Sequence, residues 1–293
     1  MITHSIQFIN IWKEIVIELY DYDEYMDFLV VKSITGSKTL SYLPLLNYTD
    51  KNSGNIEDLI ELSKDNDFQI RALNFKYEDF KENDTVTMRL DISSFDVDYV
   101  FTKLIKSKCR NQIRKSKKSD LELKIGAEEL VEQFYTLFND TMYKYGTPAF
   151  SKELFYLIIK KLDSRIFIVY KDNIPISALL LIFDNGISIV PWAASNNEFS
   201  KYCPNHLMYY EAINYSINKK QKVFDFGRSG YLIANTYKFK EQWGAKPVKI
   251  DIVSSNTDDI YSKYNFASKL WKKLPVGITN MLGPKLCKYL VDL

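Results

Sequence analysis

The sequence predicts a soluble mixed fold of the α/β (α+β) class, on three observations. Hydrophobic residues make up 46% of the 293 residues and charged residues 26%, a balance typical of globular proteins. Segments with apolar residues at helical spacing alternate with segments that alternate as strands do. The longest central apolar stretch, Ile176–Phe183, is much shorter than the roughly 20 residues that cross a bilayer.

Nothing near the N-terminus indicates export. The first residues lack a basic start followed by an apolar stretch and a small-residue cleavage site, so we expect the mature chain to start here. Cys109, Cys203 and Cys287 lie far apart and outside any CxxC spacing, which argues against a disulfide framework and a zinc site. We therefore expect a cytoplasmic protein without a metal.

The N-terminal part predicts a small domain over residues 1–96. Residues 28–34 and 38–46 have strand composition on either side of the turn-forming Thr35-Gly36-Ser37, which predicts a hairpin. A helix over residues 56–66 and strands over 68–75 and 85–92 complete a β-α-β pattern.

From Val97 onward the pattern predicts one helix with two stripes. Phe101, Ile105, Cys109 and Ile113 recur every four residues, and a cationic stripe lies about 100° away. Between residues 101 and 119 there are eight basic residues and no acidic one, whereas residues 1–100 hold 19 acidic and nine basic residues. This asymmetry indicates an anionic partner or, as the commoner explanation, a solvated helix face.

Residues 121–254 predict a regular succession of elements: a strand, two helices, three strands, a helix, a strand, a helix and a strand. Asp172-Asn173 and Asp184-Asn185-Gly186 are tight-turn sequences between the three strands, and Pro204 opens the following helix. This order is that of the GNAT acyltransferase fold. We assign it to a domain over residues 97–255, followed by a basic tail over 256–293.

One segment near the C-terminus, KVFDFGRSGYLIANTYKFKEQWGAKPVKI, resembles a known family. FDFGRS, a loop, YxFKxxWG and a proline-containing strand are typical of the FemAB-like proteins found with exosortase and exopolysaccharide systems. Similar motifs run along essentially the whole chain, including RNQIRK, YGTP, the PN start of a helix, LPLL and LGP. The resemblance implies two GNAT-like domains in tandem, a reduced N-terminal one and a complete C-terminal one.

In a GNAT fold the fourth and fifth strands splay apart and the acyl donor lies in the resulting V, here between residues 187–195 and 223–227. Asp225 is a candidate general base or amine anchor, and Arg228 and Ser229 are candidates for binding a carboxylate or phosphate. The alternative is that Asp225 and Arg228 form an ion pair that ties down the loop.

The short helix after this strand supplies two further candidates. Tyr237 could protonate a leaving group and Lys240 could bind an anionic substrate, although both also suit an ordinary surface helix. Phe239 and Trp243, on the opposite face, suit the core. Asn205 and His206 open the preceding helix, whose N-terminal N–H groups suit an anion, while a single histidine is more often structural.

The resemblance implies acyl-CoA, aminoacyl-tRNA or another carrier-bound acyl group as the donor. Coenzyme A users of this superfamily have a glycine-rich loop before the helix at Pro204, and SNNEFSKYCPNH has no glycine. Fem peptidoglycan enzymes use charged tRNA, and the basic helix, with Arg110 and Arg114, could contact it.

The resemblance implies a transferase that acylates an amine on a glycan or peptide acceptor in cell-envelope polysaccharide or peptidoglycan metabolism. The alternative is an inactive GNAT-fold module that binds nucleic acid or an anionic membrane surface through its basic helix and tail. On either interpretation the protein is cytoplasmic, with peripheral contact at the inner membrane face as an option.

Overall fold

The computed structural model describes residues 2–25, 28–34, 36–48, 67–82, 84–232, 234–255 and 267–290. The chain forms two compact units that are interleaved in sequence. The first unit contains residues 1–5, 74–138 and 162–250, and the second contains residues 6–73, 139–161 and 251–293. The boundaries predicted at residues 96 and 255 separate domains that follow one another in sequence, and they stay a prediction.

The described helices and strands agree largely with the sequence pattern. The main helices are α1 Ile6–Tyr20, α2 Val97–Tyr99, α3 Ser107–Lys117, α4 Val131–Tyr145, α5 Lys152–Lys161, α6 Pro204–Asn218, α7 Asn235–Glu241 and α8 Val276–Cys287. The strands are β1 Asp23–Tyr25, β2 Phe28–Lys32, β3 Lys38–Ser41, β4 Asp67–Asn74, β5 Thr85–Asp91, β6 Glu122–Gly126, β7 Ser164–Lys171, β8 Ile174–Asp184, β9 Ile187–Ser195, β10 Val223–Gly230 and β11 Lys246–Ser254.

The sheet of the first unit has the strand order β11-β5-β10-β9-β8-β7-β6. The strands β7, β8 and β9 form an antiparallel meander, as the turn sequences predicted, and β6 pairs antiparallel with the other side of β7. The turn residues Asp172, Asn173 and Asn185 have positive φ angles, which their side chains tolerate. The next strand, β10, is parallel to β9 and antiparallel to β5.

The core of the first unit lies between this sheet and the helices α3 and α6. Ile105, Cys109 and Ile113 are buried, as their four-residue spacing predicted. They join a hydrophobic cluster that includes Met208, Ala212 and the β10 phenylalanines Phe224 and Phe226. The part of the sheet that contains β9 and β10 is thereby packed against α6.

In the second unit, β1, β2, β3 and β4 are neighbours in that order. The strands β2 and β3 pair antiparallel, which confirms the predicted hairpin. The second strand ends at Ser41 rather than at Leu46, because Leu43 and Leu45 adopt positive φ angles that a strand does not allow. The helix predicted over residues 56–66 lies outside the described residues.

One expectation about helices is wrong, and two helices were not predicted. The single helix predicted from Val97 is wrong: a π-helical turn over Val100–Leu104 ends at Ile105, whose ψ of 126° is extended, and α3 then begins at Ser107. The helix α1 was not predicted, and the basic tail contains α8. Within the described part of the chain, no helix is both long and apolar enough to cross a membrane.

Candidate active site

The central feature of the candidate site is the divergence of the parallel strands β9 and β10. Their register comprises three residue pairs, Val223 with Ile187, Phe224 with Ser188 and Asp225 with Ile189. A bulge in β9 follows directly. Leu180 pairs with Trp192 and Ile182 pairs with Ile189, so a step of two residues in β8 lies opposite a step of three residues in β9. Beyond these three pairs the two strands are no longer paired, although β9 runs to Ser195 and β10 to Gly230, and the opening between them corresponds to the V expected from the sequence.

Asp225 lies at the closed end of this V and is completely buried. Its Oδ2 accepts a hydrogen bond from Arg89 Nε at 2.8 Å, in a buried ion pair with β5. Its Oδ1 accepts from the Thr87 hydroxyl and from the Gly227 N–H, the latter at 2.8 Å. The alternative of an Asp225–Arg228 ion pair is therefore wrong, since the partner of Asp225 is Arg89.

Gly227 allows the backbone of β10 to bend beyond its last pair with β9, in the part of the strand called its open end here. It has a φ of +78°, a left-handed conformation that favours glycine, and it lies in a second bulge where β10 shifts register against β5 between Asp225 and Arg228. This bulge turns the carbonyl groups of Gly227 and Arg228 towards the following helix α7.

Lys240 on α7 donates hydrogen bonds to both of these carbonyls. Its Nζ donates to Gly227 O at 2.9 Å and to Arg228 O at 2.8 Å, and its side chain is buried. Burial lowers the pKa of Lys240 from 10.5 to about 7, against the opposing effect of the Asp225 carboxylate. A neutral amine in this position donates its two N–H groups to the carbonyls and keeps a lone pair, so Lys240 can exchange a proton near neutral pH.

Tyr237 lies one turn before Lys240 and is also buried. Neither side chain is therefore exposed, as the alternative of an ordinary surface helix would require. Its ring meets that of Tyr231 edge-on, with centroids 5.2 Å apart. Burial raises the pKa of Tyr237, so its phenol stays protonated and can act as a proton donor. Ser229 is buried with its hydroxyl 3.3 Å from that of Thr236, whereas Arg228 is exposed at the end of β10.

Asn205 and His206 occupy the first turn of α6. The Asn205 side chain accepts from the Ser177 hydroxyl on β8 and donates to the Ser195 hydroxyl at 3.3 Å, which fixes the end of β9 to the helix. His206 packs against Trp243, with ring centroids 5.9 Å apart. Burial lowers the pKa of His206 to about 4, so its ring is neutral at physiological pH.

The two arginines of α3 differ in their surroundings. Arg110 donates to the Ile105 carbonyl at 2.6 Å and to the Thr102 carbonyl at 3.1 Å, and so caps the preceding π-helical turn. Arg114 is exposed, with its guanidinium 5.4 Å from the centre of the Phe101 ring. Of these two, Arg114 is the one that is open to a ligand.

Arg114 also lines a shallow surface hollow of about 470 Å³ on α3. The hollow is lined by Asn111, Arg114, Lys115, Lys118 and Ser119. The start of α3 reaches α7 through an ion pair of 3.0 Å between Lys106 and Glu241. The basic helix is therefore attached to the helix that carries Lys240.

The structure thus places Ser229, Tyr237 and Lys240 around the open end of β10, with Asp225 at the closed end of the V and Asn205 at the neighbouring end of β9. Sequence reasoning missed Arg89 and Thr87, the partners of Asp225. The polar alternation of Thr85, Thr87 and Arg89 in an otherwise apolar strand was the signal that could have found them.

Among the described residues, no group of three or more His, Cys, Asp or Glu side chains is arranged to hold a metal ion. The groups that the structure places beside the open end of β10 include the Lys240 amine and, one turn earlier on α7, the Tyr237 phenol. Such an arrangement suits reactions in which positioning and proton transfer supply the rate enhancement.

Comparison with known families identifies a domain at this position. Residues 106–241 match the family model described as an acetyltransferase (GNAT) domain, a range that includes β9, β10 and α7. A search with the sequence among curated proteins found none that matches.

Solved structures show the same fold over most of the chain. FemX matches with a TM-score of 0.57 and 16% identity, over 82% of this chain and 86% of that one. The C-terminal domain of a putative lysylphosphatidylglycerol synthetase from Agrobacterium fabrum matches with a TM-score of 0.58 and 10% identity, over 89% and 95%. L-PGS from Bacillus licheniformis matches with a TM-score of 0.53 and 8% identity, over 89% and 96%.

These matches confirm the predicted GNAT-type α/β fold and the FemAB-like resemblance at the level of the domain and the fold. At such low identities the solved structures establish architecture only. Residues 106–241 therefore match the acetyltransferase (GNAT) domain family, and the chain shares its fold with FemX.

Proposed function

We propose that this chain is a FemAB-like N-acyltransferase that moves an acyl or aminoacyl group from a carrier to an amine. The observation that carries the proposal is Lys240, a buried lysine whose Nζ contacts two carbonyls at the open end of β10. The pKa of this amine, lowered to about 7, suits acceptance of the proton that the attacking amine loses.

The reaction that we propose has two steps. The acceptor amine attacks the carbonyl carbon of the donor in the V between β9 and β10, and Lys240 takes the proton that the nitrogen loses as the C–N bond forms. The tetrahedral intermediate then collapses, the bond to the carrier breaks, and Tyr237 donates a proton to the leaving oxygen or sulfur. Return of the proton from Lys240 to Tyr237 through solvent completes the cycle.

In this mechanism Asp225 has a structural role rather than that of the base. Its two oxygens accept from Arg89, Thr87 and the Gly227 N–H, so both are occupied by partners within the protein. We infer that it fixes the bulge at Gly227 and thereby positions the two carbonyls that accept hydrogen bonds from Lys240.

The donor that we favour is an aminoacyl-tRNA. The connection between β9 and α6 is a 3-10 helix over Asn197–Tyr202 without glycine, in contrast to the glycine-rich loop expected of a coenzyme A user. The exposed cations of α3, beside α7, suit the phosphates of a nucleic acid. Acyl-CoA is the second donor to test.

For the acceptor we propose an amine of an envelope glycan or peptide, on the family resemblance of the motifs FDFGRS and YKFKEQWG. A protein that binds tRNA without turnover is the second candidate function, favoured by the basic hollow on α3. The two candidates differ in a single observable, the appearance of an acylated amine.

The test begins with mass spectrometry of ligands that co-purify with the protein. Acetyl-CoA, longer acyl-CoAs and a mixture of charged tRNAs are then each incubated with amine acceptors, and the products are searched for the added acyl mass. We expect a product that Lys240→Met abolishes and that Lys238→Met, a change of an exposed lysine on the same helix, leaves in place. Tight tRNA binding without any acylated amine would support the binding protein instead.

A further inference from the structure

The C-terminal part of the second unit exposes an unusual number of aliphatic side chains between Lys269 and Lys285. The exposed fractions are 50% for Leu270, 42% for Val276, 41% for Ile278 and 59% for Met281. Isolated exposed apolar residues are normal, but four within one short segment indicate a surface that contacts something.

The same segment is strongly cationic. Residues 267–290 contain five lysines and no acidic residue. These lysines are Lys269, Lys272, Lys273, Lys285 and Lys288, of which the first four are exposed. The exposed aliphatic side chains are therefore interspersed with positive charges that no neighbouring residue of the segment neutralises.

Contacts on the opposite side hold the segment in place. Thr279, Gly283 and Cys287 recur every four residues along α8 and are buried. Asn139 donates to Asn280 at 2.7 Å, Tyr143 to the Leu274 carbonyl at 3.1 Å and Tyr22 to the Lys288 carbonyl at 2.7 Å.

The opposite face of α8 is exposed. Ile278, Met281 and Lys285 lie three and four residues apart, so they share one face of the helix, away from the buried one. A helix that is fixed in this way cannot turn to bury Ile278 and Met281 within the second unit. Their burial requires a partner.

We propose that residues 269–285 dock on the surface of an anionic phospholipid bilayer. At such a surface the aliphatic side chains enter the boundary between headgroups and acyl chains while the lysines contact lipid phosphates. A nucleic acid would neutralise the lysines but leave the aliphatic side chains in water. A second copy of the chain would bring two cationic segments together.

The proposal does not depend on the transfer reaction, and vesicle co-sedimentation of the full chain tests it. Phosphatidylcholine vesicles are compared with vesicles in which part of that lipid is replaced by phosphatidylglycerol. We expect binding to the anionic vesicles alone, weakened by salt. The double variant Ile278→Ser with Met281→Ser should weaken binding by about tenfold or more. Replacing Lys269, Lys272 and Lys273 by Gln should weaken it by about fivefold per charge.

A matched control removes the same charge elsewhere: Lys103, Lys108 and Lys118, exposed in the other basic segment, are replaced by Gln. This control should bind vesicles as the unchanged protein does. Equal loss in both triple variants would contradict a docking segment at residues 269–285, as would binding that ignores Ile278 and Met281. Concentration-dependent dimers that the double serine variant abolishes would identify a second copy as the occupant and overturn the proposal.

Discussion

Arg89 and Asp225 form an ion pair inside the first unit, with Arg89 Nε 2.8 Å from Asp225 Oδ2 and both side chains almost inaccessible to solvent. The pair joins β5 to β10 at the residue where β10 leaves β9. A buried ion pair of this type contributes little net stability when intact, but the loss of one partner leaves an uncompensated charge.

Asp225→Asn should therefore lower the free energy of unfolding by about 3 kcal/mol, because Arg89 stays buried and charged without its counterion. Urea denaturation measures this change. The control is Asp91→Asn, which changes an exposed carboxylate at the end of β5 and should cost less than about 0.5 kcal/mol. Similar costs for the two variants would contradict the structural role that we assign to Asp225.

Tyr237→Phe should lower kcat by about 100-fold while KM and stability stay nearly constant, because it removes the proton donor and keeps the buried ring. Steady-state kinetics with the identified donor measure the effect. Tyr231→Phe, which alters the ring that meets Tyr237 edge-on, is the matched control. A Tyr237→Phe enzyme as fast as this control would exclude the phenol as the acid.

His206 should stay neutral down to a pH near 4, since burial lowers its pKa from 6.5 to about 4. The unfolded chain then binds more protons than the folded one between these values, so the free energy of unfolding falls as the pH falls through that window. His206→Phe should reduce this fall. Proton NMR can follow the ring directly because the chain has two histidines, and titration of the His206 ring near 6.5 would contradict the packing described.

Gly244→Ala should destabilise the protein by about 3 kcal/mol or more, because two penalties combine. Gly244 has a φ of +86°, and an added Cβ would lie 2.8 Å from the Leu104 carbonyl oxygen. Gly36 is the control, with a φ of +89° and no atom within 4 Å of an added Cβ, so Gly36→Ala should cost about 1–2 kcal/mol. Equal losses on thermal unfolding would show that the close approach to Leu104 is absent.

Much of the fold could be predicted because strand alternation and turn residues act locally. The strand over residues 187–195 and its turn sequences were predicted with the bounds that the structure has. The helix α1 was predictable too, since Phe8, Trp12, Ile15 and Val16 recur at helical spacing and are buried, but that segment was considered only as a leader.

The site was predictable in its position and only partly in its contacts. The motif placed Asp225 and Lys240 at the diverging strands, yet Arg89 lies 136 residues before Asp225, and no local pattern joins them. The burial of Lys240 depends on the bulge at Gly227, which turns two carbonyls towards α7. Helical spacing assigned that lysine to a face of α7 without indicating what the face contacts.

The central claim, that Lys240 transfers the proton of the acceptor amine beside the V, is tested most directly by the pH dependence of kcat/KM. For the unchanged enzyme and for Lys238→Met we predict a rise with pH to a plateau, with a midpoint near the Lys240 pKa of about 7. Lys240→Arg keeps the positive charge but cannot lose its proton, and should lose at least about 100-fold in activity at every pH. A Lys240→Arg enzyme that retains most of its activity and the same pH profile would contradict the account.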